Sequence, residues 1–176
     1  PKTWENKSGE FARIIADALC FTTNGYIGED GKAVMGRGSA RQIANIFPEI
    51  KLILGSYLLE YGNHVQVFSF KFDKMHLLSF PVKPDYVFPK KDRSNIVSHM
   101  RQHVTDSKRS PGWMSLANVD LIKQSCKELV DITNKRKWAK VVLPKPGCGA
   151  GGLDWNIVGN AICNLLDNRF LIISLR

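Results

Sequence analysis

The sequence predicts an α/β protein, a three-layer α/β/α sandwich around a central mixed sheet. Short apolar runs of strand length alternate along the chain with segments whose apolar residues recur at helical spacing, the pattern of parallel strands joined by helices on both faces. Two strand-like runs, residues 65–72 and 75–80, are separated only by Asp73 and Lys74, so an antiparallel hairpin joins the sheet and makes it mixed. The 176 residues are 44% hydrophobic and 23% charged, which excludes a disordered or fibrous chain. A chain of this length can bury a core without disulfides or a structural metal, and one domain over residues 1–176 is expected.

Residues 16–23 form the first strand, which ends at Asn24-Gly25, a pair that readily takes positive φ. A glycine-rich loop follows, through Gly25, Gly28, Gly31, Gly36 and Gly38. Over residues 39–47, Ala40, Ile43, Ala44 and Phe47 share one side of a helix. Pro48 suits the first position of a second helix, with Ile50, Ile53, Leu54, Tyr57, Leu58 and Tyr61 as its buried face and Gly62 as its stop.

After the hairpin, residues 81–112 break the pattern with four prolines, scattered charges and at most a short helix near residues 94–104. An excursion of this length, about residues 84–112, is a lid or recognition candidate in a compact domain. Residues 116–137 make the strongest helix, with Val119, Ile122, Cys126, Leu129, Val130 and Thr133 as its buried stripe. A strand at 140–144, a second glycine loop, a helix at 153–167 with Trp155, Val158, Ile162, Leu165 and Leu166 inward, and a strand at 170–175 complete the order.

Charge is what departs from the ordinary. Twenty-five basic against 16 acidic residues give +9 and a pI near 9.5, an excess that suits contact with polyanions. Residues 1–70 are neutral overall, residues 71–112 carry +5 and residues 113–176 carry +4, so the excess concentrates in the segment holding the excursion. A basic rim there, with Lys90, Lys91 and Arg93, is expected to help hold a large anionic substrate such as nucleic acid.

No apolar run approaches the roughly 18 to 20 residues of a membrane span, and the first ten residues are polar, so a cytoplasmic protein without membrane contact, and a monomer, is expected. Cys20, Cys126, Cys148 and Cys163 lie far apart with no CxxC pair, which argues for reduced thiols rather than a disulfide framework or a zinc site. His99 and His103 are four apart but lack further ligands at suitable spacing, and neither a metal nor a cofactor is expected.

Gly147, Gly149 and Gly152 satisfy GxGxxG, yet only one helix and one strand follow, too few for a dinucleotide-binding Rossmann unit. The physical reason for such loops remains. Glycines let backbone N–H groups converge on anionic oxygens, and a helix N-terminus adds partial positive charge. Two strand-to-helix glycine loops at one end of a sheet can hold a diphosphate from opposite sides; each alone is equally a tight turn required by packing.

The ordered segments Ser8-Gly9-Glu10-Phe11, Ala16-Asp17-Ala18-Leu19 through Asn24-Gly25, Ala33-Val34-Met35-Gly36-Arg37-Gly38-Ser39-Ala40, Phe80-Pro81-Val82-Lys83 and Pro146 through Gly152-Leu153-Asp154-Trp155 span nearly the whole chain. In these the sequence resembles the macro domain family, and within it the bacterial and phage branch near the DarG-type antitoxins and the terminal ADP-ribose glycohydrolase. The resemblance implies the macro domain fold and an ADP-ribose site. Glu10, beside Phe11, would take the adenine amino group, standing where the family usually has Asp. Asn24 would bond the distal ribose, or serve only as a turn residue. Ala33, Val34, Met35, Gly36, Arg37 and Gly38 in the first loop, with Gly147, Cys148, Gly149, Ala150, Gly151, Gly152 and Leu153 in the second, would enclose the diphosphate and distal ribose. The resemblance makes Lys83 the catalytic candidate, matching a strand-end lysine implicated in cleavage at the anomeric carbon. A lysine serves as nucleophile or acid-base group when desolvation or neighbouring positive charge lowers its pKa.

The branch's working aspartate, two residues after GCG, corresponds to Gly151, whereas Asp154 is placed to cap the last helix. Trp113, Trp138 and Trp155 read as packing residues. Family members pass from the lysine strand to the next helix more briefly, so the excursion is where this chain's own specificity is expected. Three functions follow from the resemblance: hydrolysis of an ADP-ribosyl linkage, binding of ADP-ribose or a related signal nucleotide without turnover, and removal of phosphate from ADP-ribose 1″-phosphate.

Overall fold

The computed structural model describes residues 2–4, 15–105 and 108–174. Along them run β1 (Lys2–Trp4), β2 (Ala18–Asn24), α1 (Gly38–Ile46), α2 (Ile50–Tyr61), β3 (Gln66–Phe72), β4 (Met75–Lys83), β5 (Tyr86–Val87), β6 (Ser110–Pro111), α3 (Val119–Arg136), β7 (Val141–Pro144), α4 (Trp155–Ile162) and β8 (Phe170–Ile173). Six strands form one sheet in the order β1-β8-β7-β2-β4-β3. β3 pairs antiparallel with β4 through the Asp73-Lys74 turn, both residues at positive φ, and the other pairings are parallel. The sheet is therefore mixed, as the hairpin requires.

The two faces carry separate cores. On one, Ile122, Cys126 and Leu129 of α3 and Val158 and Ile162 of α4 pack on Leu78, Phe80, Val141 and Leu143. On the other, Ile43 of α1 and Ile50, Leu54 and Leu58 of α2 pack on Phe21, Phe68 and Leu77. Helices cover both faces, giving the expected three layers.

Several boundaries differ from the sequence expectation, each for a local reason. α2 starts at Ile50, and residues 48–49 form a turn preceding it. Tyr61 is 53% exposed, because the apolar residues of α2 run most of the way round it and the sheet needs only one side. β4 carries Pro81 inside it and reaches Lys83; its partner β2 shifts register between Thr23 and Asn24, opposite that proline. α4 ends at Ile162, five residues early, in turns before β8.

The excursion is folded back onto the domain. β5 and β6 pair antiparallel at its base, and a 3-10 helix, Ser98–His103, stands where a short helix was expected. Ile96, Val97 and Val104 are buried, and backbone bonds from Val97 to Met114 and from Leu116 to Asn95 tie the segment down. Asn118 caps α3 by accepting from Asp120 and Leu121 N–H. No helix among the described residues is long and apolar enough to cross a membrane.

Candidate functional site

β2 lies between β7 and β4 and runs parallel to both, so the carboxyl ends of three strands open on one edge of the sheet. Asn24 stands in register with Lys83, and Pro144 at the end of β7 borders the same cleft. The loop from β2 to α1 and the loop from β7 to α4 wall a cleft of about 730 Å³. Of the residues singled out from sequence, Asn24, Val34, Met35, Gly36, Arg37, Gly38, Lys83, Gly147, Cys148, Gly149, Ala150, Gly151 and Leu153 line it. Ala33 does not; it is buried in the core under the loop, its N–H donating to Lys51. Gly152 faces an adjoining hollow rather than the cleft. Glu10 and Phe11 lie outside the described residues.

Both loops present backbone donors. The N–H groups of Gly36, Arg37 and Gly38 and those of Gly149, Ala150 and Gly151 make no hydrogen bond to a described residue. Donors left unpaired at a cleft are the means by which a nest or helix N-terminus holds an anion. Gly38 and Gly147, at φ of 59° and 75°, give the two loops turns that side-chain-bearing residues rarely adopt. At Gly36 and Gly149 a Cβ would meet only open space, so the fold itself does not require glycine at either position.

Asn24 holds the first loop in place. Its Nδ2 donates to Val34 O at 2.8 Å and its Oδ1 accepts from Tyr26 N at 3.0 Å, which leaves one amide hydrogen and one lone pair uncommitted. Ser39 Oγ accepts from Thr22 N at 3.0 Å and meets Thr22 Oγ1 at 3.1 Å, locking the start of α1 to β2. Thr23 Oγ1, buried at the cleft, has no hydrogen-bond partner among the described residues.

Lys83 is 7% exposed. Its carbonyl accepts from Gly25 N at 3.2 Å and Asn63 Nδ2 at 3.0 Å, fixing the strand end. Its Nζ donates to Trp113 O, from the end of the excursion, and to Ala150 O, from the second loop, each at 2.9 Å. Burial, reinforced by the Arg37 guanidinium, lowers its pKa to about 8. A neutral amine has two hydrogens, so with both carbonyls satisfied its lone pair occupies the one remaining tetrahedral direction. The lysine is thus held by protein at two points while lining the cleft.

Asp154 caps α4, accepting from Asn156 N at 2.7 Å, and also borders the cleft. Gly151 shows why no aspartate stands there, since a Cβ would collide with the carbonyl of Gly147. Burial pushes the Cys148 thiol up to about 11, so it is protonated at neutral pH. Trp138 packs in the core and Trp155 packs against it, as expected, and Trp113 and Trp155 also line the cleft. Lys145 sits over the Trp155 ring at 5.4 Å. His99, weighed in the sequence only as a metal ligand, also lines the cleft; burial, with Arg37 and Lys83 nearby, lowers its pKa. No spacing rule could have found it, because the folding of the excursion brings it there. Among the described residues no three His, Cys, Asp or Glu side chains cluster as metal ligands do.

No family model and no curated protein matches the sequence. Solved structures do resemble it. The macrodomain of Mycobacterium tuberculosis DarG has a TM-score of 0.64 at 21% identity, over 96% of this chain and 95% of that one. The macrodomain of Thermus aquaticus DarG has 0.62 at 19%, over 96% and 95%. Thermosipho africanus DarTG in complex with ADP-ribose has 0.64 at 17%, over 91% of this chain and 38% of that one. The fold is therefore the macrodomain fold, as the sequence resemblance implies.

Proposed function

We propose that this protein of macrodomain fold binds ADP-ribose in the cleft and hydrolyses a linkage at its distal ribose, with Lys83 as the reacting amine. The observation that carries the reading is the position of Lys83: a buried amine of lowered pKa that lines the cleft, held by the Ala150 carbonyl of the second loop and the Trp113 carbonyl, beside two loops whose amides are unpaired among the described residues. The amides of residues 36–38 and 149–151 would take the diphosphate from its two sides. Asn24 would offer its spare amide valence to the distal ribose, and Glu10 would receive the adenine amino group. A DarTG structure at 17% identity holds ADP-ribose, which supports the choice of ligand.

At pH 7, one unit below its pKa, about a tenth of Lys83 is neutral, far more than for a solvated lysine. Its lone pair bonds to the anomeric carbon as the bond from that carbon to the attached group breaks, the leaving group keeping the electron pair and taking a proton from the new ammonium or from water. Water then attacks the same carbon and releases the amine. The basic excursion suits an anionic attached group, nucleic acid among them.

The test is release of ADP-ribose from mono-ADP-ribosylated protein and mono-ADP-ribosylated oligonucleotide. Wild-type protein should release it from at least one, and Lys83→Ala should lose at least about 100-fold in rate while still binding ADP-ribose. Binding without release from any conjugate would make the protein a reader of ADP-ribose. Phosphate release from ADP-ribose 1″-phosphate alone would make it a phosphatase.

A further inference from the structure

Beside the cleft lies a second hollow of about 870 Å³, on the far side of Arg37. Arg37, Arg41 on the first turn of α1, and Arg101 and His99 on the 3-10 helix of the excursion line it, and among the described residues no carboxylate does. No carboxylate among the described residues pairs with any of the three arginines. Arg101 is held partly in place, its Nε donating to Ile96 O at 3.3 Å and its own carbonyl accepting from Arg93 Nη1 at 2.7 Å. α1 begins at this hollow with no side-chain cap and no acidic residue in its first turn, so its positive end is also uncompensated.

Three arginines lining one hollow repel one another, a repulsion that an anion between them offsets, and the planar fork of arginine suits phosphate oxygens in pairs. The residues come from two elements far apart in sequence, α1 and the excursion, so their convergence is a product of the fold. We infer that this hollow is a second anion site, distinct from the cleft, that binds a phosphate group through Arg37, Arg41 and Arg101.

The hollow meets the cleft along Gly36, Arg37, Gly38, His99, Gly149 and Ala150, the last of which holds Lys83. A group attached at the reacting carbon therefore has a path into it, a link that rests on the function proposed above. The anion site itself does not depend on that reading. The phosphate can belong to a small phosphorylated molecule or to the backbone of a strand.

Calorimetric titration of the full chain tests this with three probes: ADP-ribose, inorganic pyrophosphate with ADP-ribose saturating, and a short unmodified single-stranded oligonucleotide. Arg41→Ala/Arg101→Ala should weaken pyrophosphate or oligonucleotide binding by about 10- to 100-fold and leave ADP-ribose affinity unchanged. Oligonucleotide binding whose salt slope falls by about 1 to 2 in the variant identifies a strand as the source, and pyrophosphate binding alone identifies a small molecule. Either supports the site. If neither probe binds, or the double variant binds both as wild type does, the proposal is overturned. If wild-type protein fails to bind ADP-ribose while pyrophosphate still senses Arg41 and Arg101, the reading of the cleft falls and the anion site stands. Should the double variant not fold, Arg41→Glu on the exposed surface of α1 carries the same test.

Discussion

Lys83 couples the chemistry to a stability cost. Its folded pKa of about 8 lies below the ordinary 10.5, so the charged form is disfavoured in the native state. The unfolded chain binds the proton more tightly, and stability therefore rises with pH between 8 and 10.5; below pH 8 the penalty is fully present, at roughly 3 kcal/mol. Wild-type stability should accordingly rise from pH 8 to pH 10.5, and that rise should be absent in Lys83→Met, a variant that should also release no ADP-ribose. Calorimetric melts across that range check it, and a variant less stable at pH 7 than at pH 10 relative to wild type would contradict it. The wild-type release rate should rise about tenfold per unit up to pH 8 and level off above, as for an amine acting in its neutral form. A rate that instead falls through pH 8 would assign Lys83 the role of acid.

Loops and excursion make claims of their own. A side chain at Gly149 would enter open space at the cleft, so Gly149→Val should fold with a melting temperature near wild type and lose ADP-ribose affinity by more than about tenfold in calorimetry. Gly151→Asp is the opposite case. It places the aspartate of the resembled branch where the Gly147 carbonyl leaves no room, and should destabilise the fold by about 3 kcal/mol or more without raising activity. Ile96 is fully buried and anchors the excursion, whose end supplies the Trp113 carbonyl to Lys83. Ile96→Ala should cost about 2–4 kcal/mol in chemical denaturation and, by loosening that carbonyl, slow release more than it weakens ADP-ribose binding.

Across the molecule, what repeats along the chain was legible in sequence and what the fold brings together was not. Ile122, Cys126 and Leu129 announce α3 by spacing, and Gly38 and Gly147 announce the loops because glycine readily takes the positive φ of their turns. Tyr61 misled, since an apolar residue on a helix that is apolar nearly all round has no address until the sheet selects a side. His99, Trp113 and the Arg41–Arg101 hollow depend on how the excursion folds over the strand ends, which no local pattern encodes. These scales meet in one ligand, which should span both glycine loops with its reacting carbon at Lys83. A crystal structure of the ADP-ribose complex is the test. The diphosphate should lie against the amides of residues 36–38 and 149–151, with the anomeric carbon about 3–3.5 Å from Lys83 Nζ. ADP-ribose bound with its distal ribose turned away from Lys83, or absent from the cleft at saturating concentration, would contradict this placement.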